Sequence, residues 1–220
     1  MVSQTRARSS EAKAARREQI LDEARRLLLT TRYPELTLSD IAARVGLTKP
    51  ALFAYFSSKE SLFLSVYEAR LGTWFSALEK HLRLGGTHSA RTLAALITAM
   101  TLEQPELLRL LPLLSGLLEY NITAERALEH KRWVAQQLGT ITPLLEAALP
   151  GLPPGGGARL LTYTQALIAG LYPMSEPAPA VRQALECGGL GDLHLHLKAA
   201  LQDSLEGLYL GLSARSGELG

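Results

Sequence analysis

Apolar positions recur with a helical period along almost the whole chain, and no stretch keeps the alternation of a strand. In the first predicted helix, residues 11–30, Ile20, Leu21, Ala24, Leu27 and Leu28 form one stripe, with Arg16, Arg17, Arg25 and Arg26 largely off it. Pro34 biases Tyr33 away from helical angles and ends that run. A second helix is predicted from Leu38 to Val45, with Leu38, Ile41, Ala42 and Val45 inward. Thr37 is its cap, and Asp40 is placed to close a capping box. Gly46 suits the positive φ that ends such a helix. A third helix starts from Thr48, tolerates Pro50 in its first turn and runs to Phe56, anchored by Leu52 and Phe56. A fourth starts at Ser57 or Ser58 and continues to Leu84, roughly 40 Å at 1.5 Å per residue, long enough to serve both halves of the chain.

Beyond the glycines at 85 and 86 the period predicts helices at 88–103, 105–119, 123–148, 157–173, 178–187 and 190–213. The Pro/Gly-rich 150–157 and the prolines of 172–179 mark breaks. The fold class is all-α.

Charge changes the picture only through its distribution. The net charge is +2, yet residues 1–60 hold 11 Lys/Arg against 7 Asp/Glu, and the remainder 12 against 14. A modest positive excess on the first sixty residues fits a few phosphate contacts. Residues 1–13 read as a disordered basic segment. The single Cys187 excludes an intrachain disulfide and a cysteine-based zinc site, and fits a reducing cytoplasm. The N-terminus carries charges without the apolar run of a secretory signal. Neither Leu107–Leu118 nor Leu160–Met174 is a clean apolar run of membrane-spanning length, so no membrane partner is expected. His194 and His196, two apart on a predicted helix, face different ways, so no metal site is expected and no cofactor is called for. No nucleophile elbow, phosphate loop or HExxH motif supports an enzyme.

Helix, tight turn and second short helix over residues 37–56 have the spacing of a helix-turn-helix, whose second helix is sized for the DNA major groove. On that second helix Lys49, Ala51, Phe53, Ala54 and Tyr55 are candidates for the outer face, with Pro50 in the first turn. Lys49 could donate to guanine or to phosphate, and Ala51 and Ala54 let the helix sit deep. Tyr55 could reach a phosphate, and Lys59 could do so beside a helix N-terminus. Phe53 and Tyr55 have the alternative of capping the domain core. Thr37 and Thr48 can cap and donate to phosphate.

Across these residues the chain resembles the tetracycline-repressor (TetR) family of one-component regulators. The shared features are Ile41–Ala42, Gly46–Leu47–Thr48, the Leu52-to-Phe56 segment with its spaced aromatics, and Ser58–Lys59–Glu60–Ser61–Leu62 behind a fitting first helix. Two positions depart from the pattern. Phe53 stands where Tyr is usual, removing a phosphate-bonding hydroxyl, and Arg32 and Tyr33 replace the usual loop glycine. The resemblance implies a DNA-binding domain over 14–74 and a helical effector-binding and dimerisation domain over 75–220. It also implies a homodimer on palindromic double-stranded DNA.

A recognition helix of about eight residues reads few base pairs, so discrimination of about 1–3 kcal/mol per pair calls for two copies. The expected interface is residues 157–173 with 190–213, through Leu160, Leu167, Leu171, Leu197, Leu201, Leu205 and Leu208; an apolar stripe this wide also fits an intramolecular core. A small-molecule effector is expected in the C-terminal body, where Trp74, Arg109, Glu119, Tyr120, Asn121, His130, Trp133, Tyr163 and Gln165 stand among Leu-rich helices. The functional expectation is a cytoplasmic, ligand-released repressor. The alternative is a helix-turn-helix protein without an effector, controlled by a partner or acting architecturally.

Overall fold

The computed structural model describes the backbone of residues 2–214 and the side chains of residues 11–214. Among these residues it is all-α, with no strand. Helix α1 spans Val2–Thr30, so the segment expected to be a disordered start is helical from Val2. Nothing in residues 2–30 opposes this, because the run contains neither Gly nor Pro and is rich in Ala, Arg and Glu. Arg6 and Arg8, two of the charges of the basic segment expected over residues 1–13, have side chains outside the described residues.

A 3₁₀ turn at Tyr33–Glu35 leads to α2 (Leu38–Arg44), α3 (Lys49–Phe53) and α4 (Lys59–Arg83). Then come α5 (Ala90–Leu102) and α6 (Pro105–Leu110). The single helix expected over 105–119 breaks up. Pro112 has no N–H to continue it, and a 3₁₀ turn at Leu111–Leu113 gives way to a π turn at Leu114–Leu118. The Glu119 N–H closes that turn on the Leu114 carbonyl at 2.8 Å. The remaining helices are α7 (Ala124–Ala148), α8 (Gly156–Ser175), α9 (Pro179–Cys187) and α10 (Leu197–Ala214). Residues 190–196, expected to be helical, instead hold a 3₁₀ turn at Gly191–Leu193 and an extended link. His194 and His196 lie on that link with ring centroids 5.2 Å apart and share no helix.

The contacts divide the chain into two compact units, residues 1–69 with 114–127, and 70–113 with 128–220. A segment from the middle of the chain, Leu114–Ala127, thus groups with the first unit. The first unit is built on Ile20, Ala24, Leu28, Ile41, Leu52, Leu62 and Phe63, all buried. In the second, α10 packs along α5 and α8. The buried Thr164 and Tyr209 hydroxyls share a hydrogen bond at 2.8 Å across the α8–α10 contact. A Cβ on Gly157 would lie 2.7 Å from the Thr142 carbonyl, so only glycine lets α8 start this close to α7.

Candidate nucleic-acid interface

Three local devices set the attitude of α3. Thr37 and Asp40 close a capping box at the start of α2. The Asp40 N–H donates to the Thr37 hydroxyl at 3.2 Å, and the Thr37 N–H donates to the Asp40 carboxylate at 3.2 Å. At the other end Gly46 takes φ +67°, a conformation that costs an L-residue with a Cβ roughly 1–2 kcal/mol. The Gly46 N–H then reaches Ala43 and the Leu47 N–H reaches Ala42, which satisfies carbonyls the helix end would leave open. The Thr48 hydroxyl accepts from the Ala51 N–H at 3.3 Å and starts α3. Only four residues, Val45 to Thr48, separate α2 from α3.

On α3 the inward side is Leu52, with Phe56 just beyond the helix; both are buried. Lys49, Pro50, Phe53 and Ala54 face out, with Phe53 45% exposed, while Ala51 and Tyr55 are half-buried. Phe53 therefore does not cap the core. The helix itself is shorter than expected and closes at Phe53, after which Ala54 and Tyr55 form a turn.

Two arginines missed as functional residues brace this arrangement from α1. Arg16 donates to the Val45 carbonyl at 3.2 Å, holding the end of α2. Arg17 lies over the Phe56 ring, 5.0 Å from its centroid, and donates to the Ser65 hydroxyl at 3.1 Å. Their partners lie far along the chain, and local periodicity carries no signal for such pairs.

Lys59 is placed differently from expectation. Its Nζ donates to the carbonyls of Tyr33 at 3.1 Å and Leu36 at 3.0 Å, and sits 4.3 Å from the Tyr33 ring centroid. The ammonium ties the loop after α1 to the start of α4 rather than standing out toward a phosphate. The Thr37 hydroxyl proton is likewise engaged, with Asp40 at 2.6 Å. The Thr48 bond uses that hydroxyl as an acceptor and leaves its proton for another partner.

The residues expected around an effector fall in both units. Glu119, Tyr120 and Asn121 belong to the first unit; Tyr120 is 83% exposed, and the Asn121 amide donates to the Leu117 carbonyl at 2.8 Å. Tyr163 and Gln165 lie exposed on α8. Within the second unit Trp74 and His130 are buried and Arg109 is half-buried, and the His130 and Trp133 rings stack 6.3 Å apart. Sequence reading missed Thr98 and Thr101, whose hydroxyls, like Trp74 Nε1, are buried with no hydrogen-bond partner.

Among the described residues no three His, Cys, Asp or Glu side chains gather into a group that could hold a metal ion. No described helix is long and apolar enough to cross a membrane.

Residues 20–66 match the family profile described as bacterial regulatory proteins of the tetR family, and residues 68–216 match the tetracyclin repressor-like C-terminal domain. The transcriptional regulator EthR of Mycolicibacterium smegmatis is 39% identical over 49 residues, 22% of this chain and 23% of EthR. The transcriptional activator FasR of the same organism is 32% identical over 80 residues, 36% of each chain. These matches span only about a quarter and a third of those two relatives. The fatty acid degradation regulator FadR of Bacillus halodurans shares the fold, with a TM-score of 0.54 and 16% identity over 89% of this chain and 95% of its own. The helix-turn-helix geometry and both profiles agree: the chain belongs to the TetR family of transcriptional regulators, which bind DNA and carry out no chemical step.

Proposed function

We propose that the protein is a homodimeric repressor that acts in the cytoplasm, binds a palindromic operator and is released by a small-molecule effector. The observation that carries the reading is α3, clamped by Leu52 and Phe56 while Lys49, Pro50, Phe53 and Ala54 face outward. A pinned helix with a lysine in its first turn and small residues beside it fits base-edge reading in a major groove. The DNA-contacting set is Thr48, Lys49, Pro50, Ala51, Phe53, Ala54 and Tyr55, with Thr37 at the edge. Lys59 leaves that set and becomes a positioning residue.

The dimer surface also moves. Leu160, Leu201 and Leu205 are 0% exposed within one chain and belong to its own core. Leu167, Leu171, Leu197 and Leu208 are half-buried. The faces left for a second copy carry Thr162, Tyr163, Gln165, Ala166, Gly170 and Met174 on α8, and Ala199, Asp203, Gly207, Leu210, Gly211 and Ala214 on α10. Space stands open above Gly170, Gly207 and Gly211, where another helix could approach closely.

For the effector, the buried unpartnered polar atoms of Trp74, Thr98 and Thr101 support a polar ligand group among apolar walls. The effector acts by binding the DNA-incompetent arrangement more tightly, and shifts the population by no more than that difference.

Selection of bound fragments from the source genome tests the reading. It predicts enrichment of a palindrome, and loss of the complex when compounds made or consumed by neighbouring gene products are added. Enrichment without any symmetric element would refute the dimeric reader. A complex that no such compound dissolves would favour the effector-free alternative.

A further inference from the structure

Helix α9 buries none of its nine residues. It belongs to a 21-residue excursion, 176–196, between α8 and α10. The excursion is ordered on itself: the Leu190 N–H donates to the Leu185 carbonyl at 2.9 Å, and Gly189 turns the chain with φ +65°. Its apolar side chains nonetheless lie open, with Val181 and Leu190 50% exposed and Leu193 70% exposed. Met174, just before the excursion, is 64% exposed. Ordering a residue costs roughly 1–2 kcal/mol, normally offset by burial, and here the chain itself offers almost none.

We propose that residues 176–196 form an arm that packs on a second copy of this chain, so that α9 is part of the dimer interface. The inference rests on the homodimer reading above, and two observations select the occupant. The arm is rooted at both ends in the helices that carry the free outward faces. Those faces, apart from Thr162, Tyr163, Gln165, Met174, Asp203 and Leu210, are lined by small residues: Ala166, Gly170, Ala199, Gly207, Gly211 and Ala214. Small residues allow close approach but contribute little area, whereas a stable interface needs about 800 Å² from each partner. Val181, Leu190 and Leu193 supply the large apolar side chains that those faces lack. Glu176, Arg182, Glu186 and Asp192 are left for the polar rim.

The chain's single cysteine provides the test. Cys187 is exposed at the end of α9 and takes a benzophenone maleimide without competition from another thiol. An equal mixture of labelled ¹⁵N protein and unlabelled-isotope protein is sized by sedimentation and then irradiated. The arm predicts covalent dimers whose linked peptides join a ¹⁵N chain to a ¹⁴N chain. A dimeric protein that yields links only within one chain overturns the arm and leaves the dimer standing. A monomer at micromolar concentration overturns the homodimer reading itself, and the arm with it. As a second measurement, Val181→Asp with Leu193→Asp should raise the dimer dissociation constant at least tenfold with helical content unchanged, because neither side chain is buried in the single chain. An unchanged constant contradicts the arm.

Discussion

Lys59 is bound to Tyr33 twice, through its carbonyl at 3.1 Å and over its ring at 4.3 Å. One cation thus closes the loop after α1 onto the first turn of α4, with Leu36 as its second carbonyl partner. The Tyr33 ring meets Phe63 edge-on at 5.1 Å, which carries the tie into the buried core of the first unit.

From this placement Lys59→Ala should destabilise the fold by about 2–3 kcal/mol, since two charge-assisted hydrogen bonds and a ring contact are lost together. Urea denaturation measures it. Binding to DNA should keep the same salt dependence, since no phosphate contact is removed. A slope reduced by about one unit, with stability unchanged, would return Lys59 to the DNA surface.

Lys49 is predicted to behave in the opposite way. It is exposed in the first turn of α3, and Lys49→Ala should relax base preference at one position in each half-site, a loss of about 1–3 kcal/mol against the preferred base. Binding to a library randomised at each operator position checks this. A uniform loss at every position would assign Lys49 to the backbone.

Arg126, in the first turn of α7, donates to Glu68 at 2.6 Å and to Ser65 at 3.3 Å; Ser65 also accepts from Arg17. Arg126 and Glu68 are both mostly buried, so Arg126→Ala leaves a carboxylate with weakened compensation and should cost about 2–3 kcal/mol. Hydrogen exchange should quicken in residues 114–127, the segment that joins the first unit from the middle of the chain. Unchanged protection there would mean that apolar packing, not this network, holds the segment.

Burial holds the Tyr209 phenol well above its ordinary value of 10.0, and the Thr164 hydrogen bond opposes this only in part. Above pH 10 the unfolded chain releases that proton while the folded chain keeps it. The unfolded state then binds fewer protons, so stability falls as pH rises, by about 1.4 kcal/mol per pH unit for this group. Tyr209→Phe, less stable by about 1–2 kcal/mol at pH 8 because Thr164 loses its partner, should approach the parent protein by pH 11. A stability gap that stays constant from pH 8 to pH 11 would contradict the assignment.

The helix-turn-helix was legible because its signals are local. Thr37 and Asp40, Gly46, and Thr48 with Ala51 each act within a few residues, and all three devices form as read. The partners of Arg16, Arg17 and Lys59 were not legible, since they lie 23 to 48 residues away and any exposed cation reads alike in sequence. The break at Leu111–Leu118 was signalled by Pro112 but hidden by the apolar run around it. In α10 the broad leucine stripe showed that much of the helix is covered, without showing which side the chain's own core takes. Leu201 and Leu205 turn inward, and Gly207, Leu210 and Gly211 are left outside.

Hydroxyl-radical footprinting on a selected operator reads out whether α3 is offered outward in duplicate. Two symmetric protected patches are expected, centred one helical turn apart, about 10 base pairs or 34–36 Å, both lost together when Leu210→Asp splits the dimer. A single patch, or protection that survives intact in a monomeric protein, would contradict a duplicate presentation of α3.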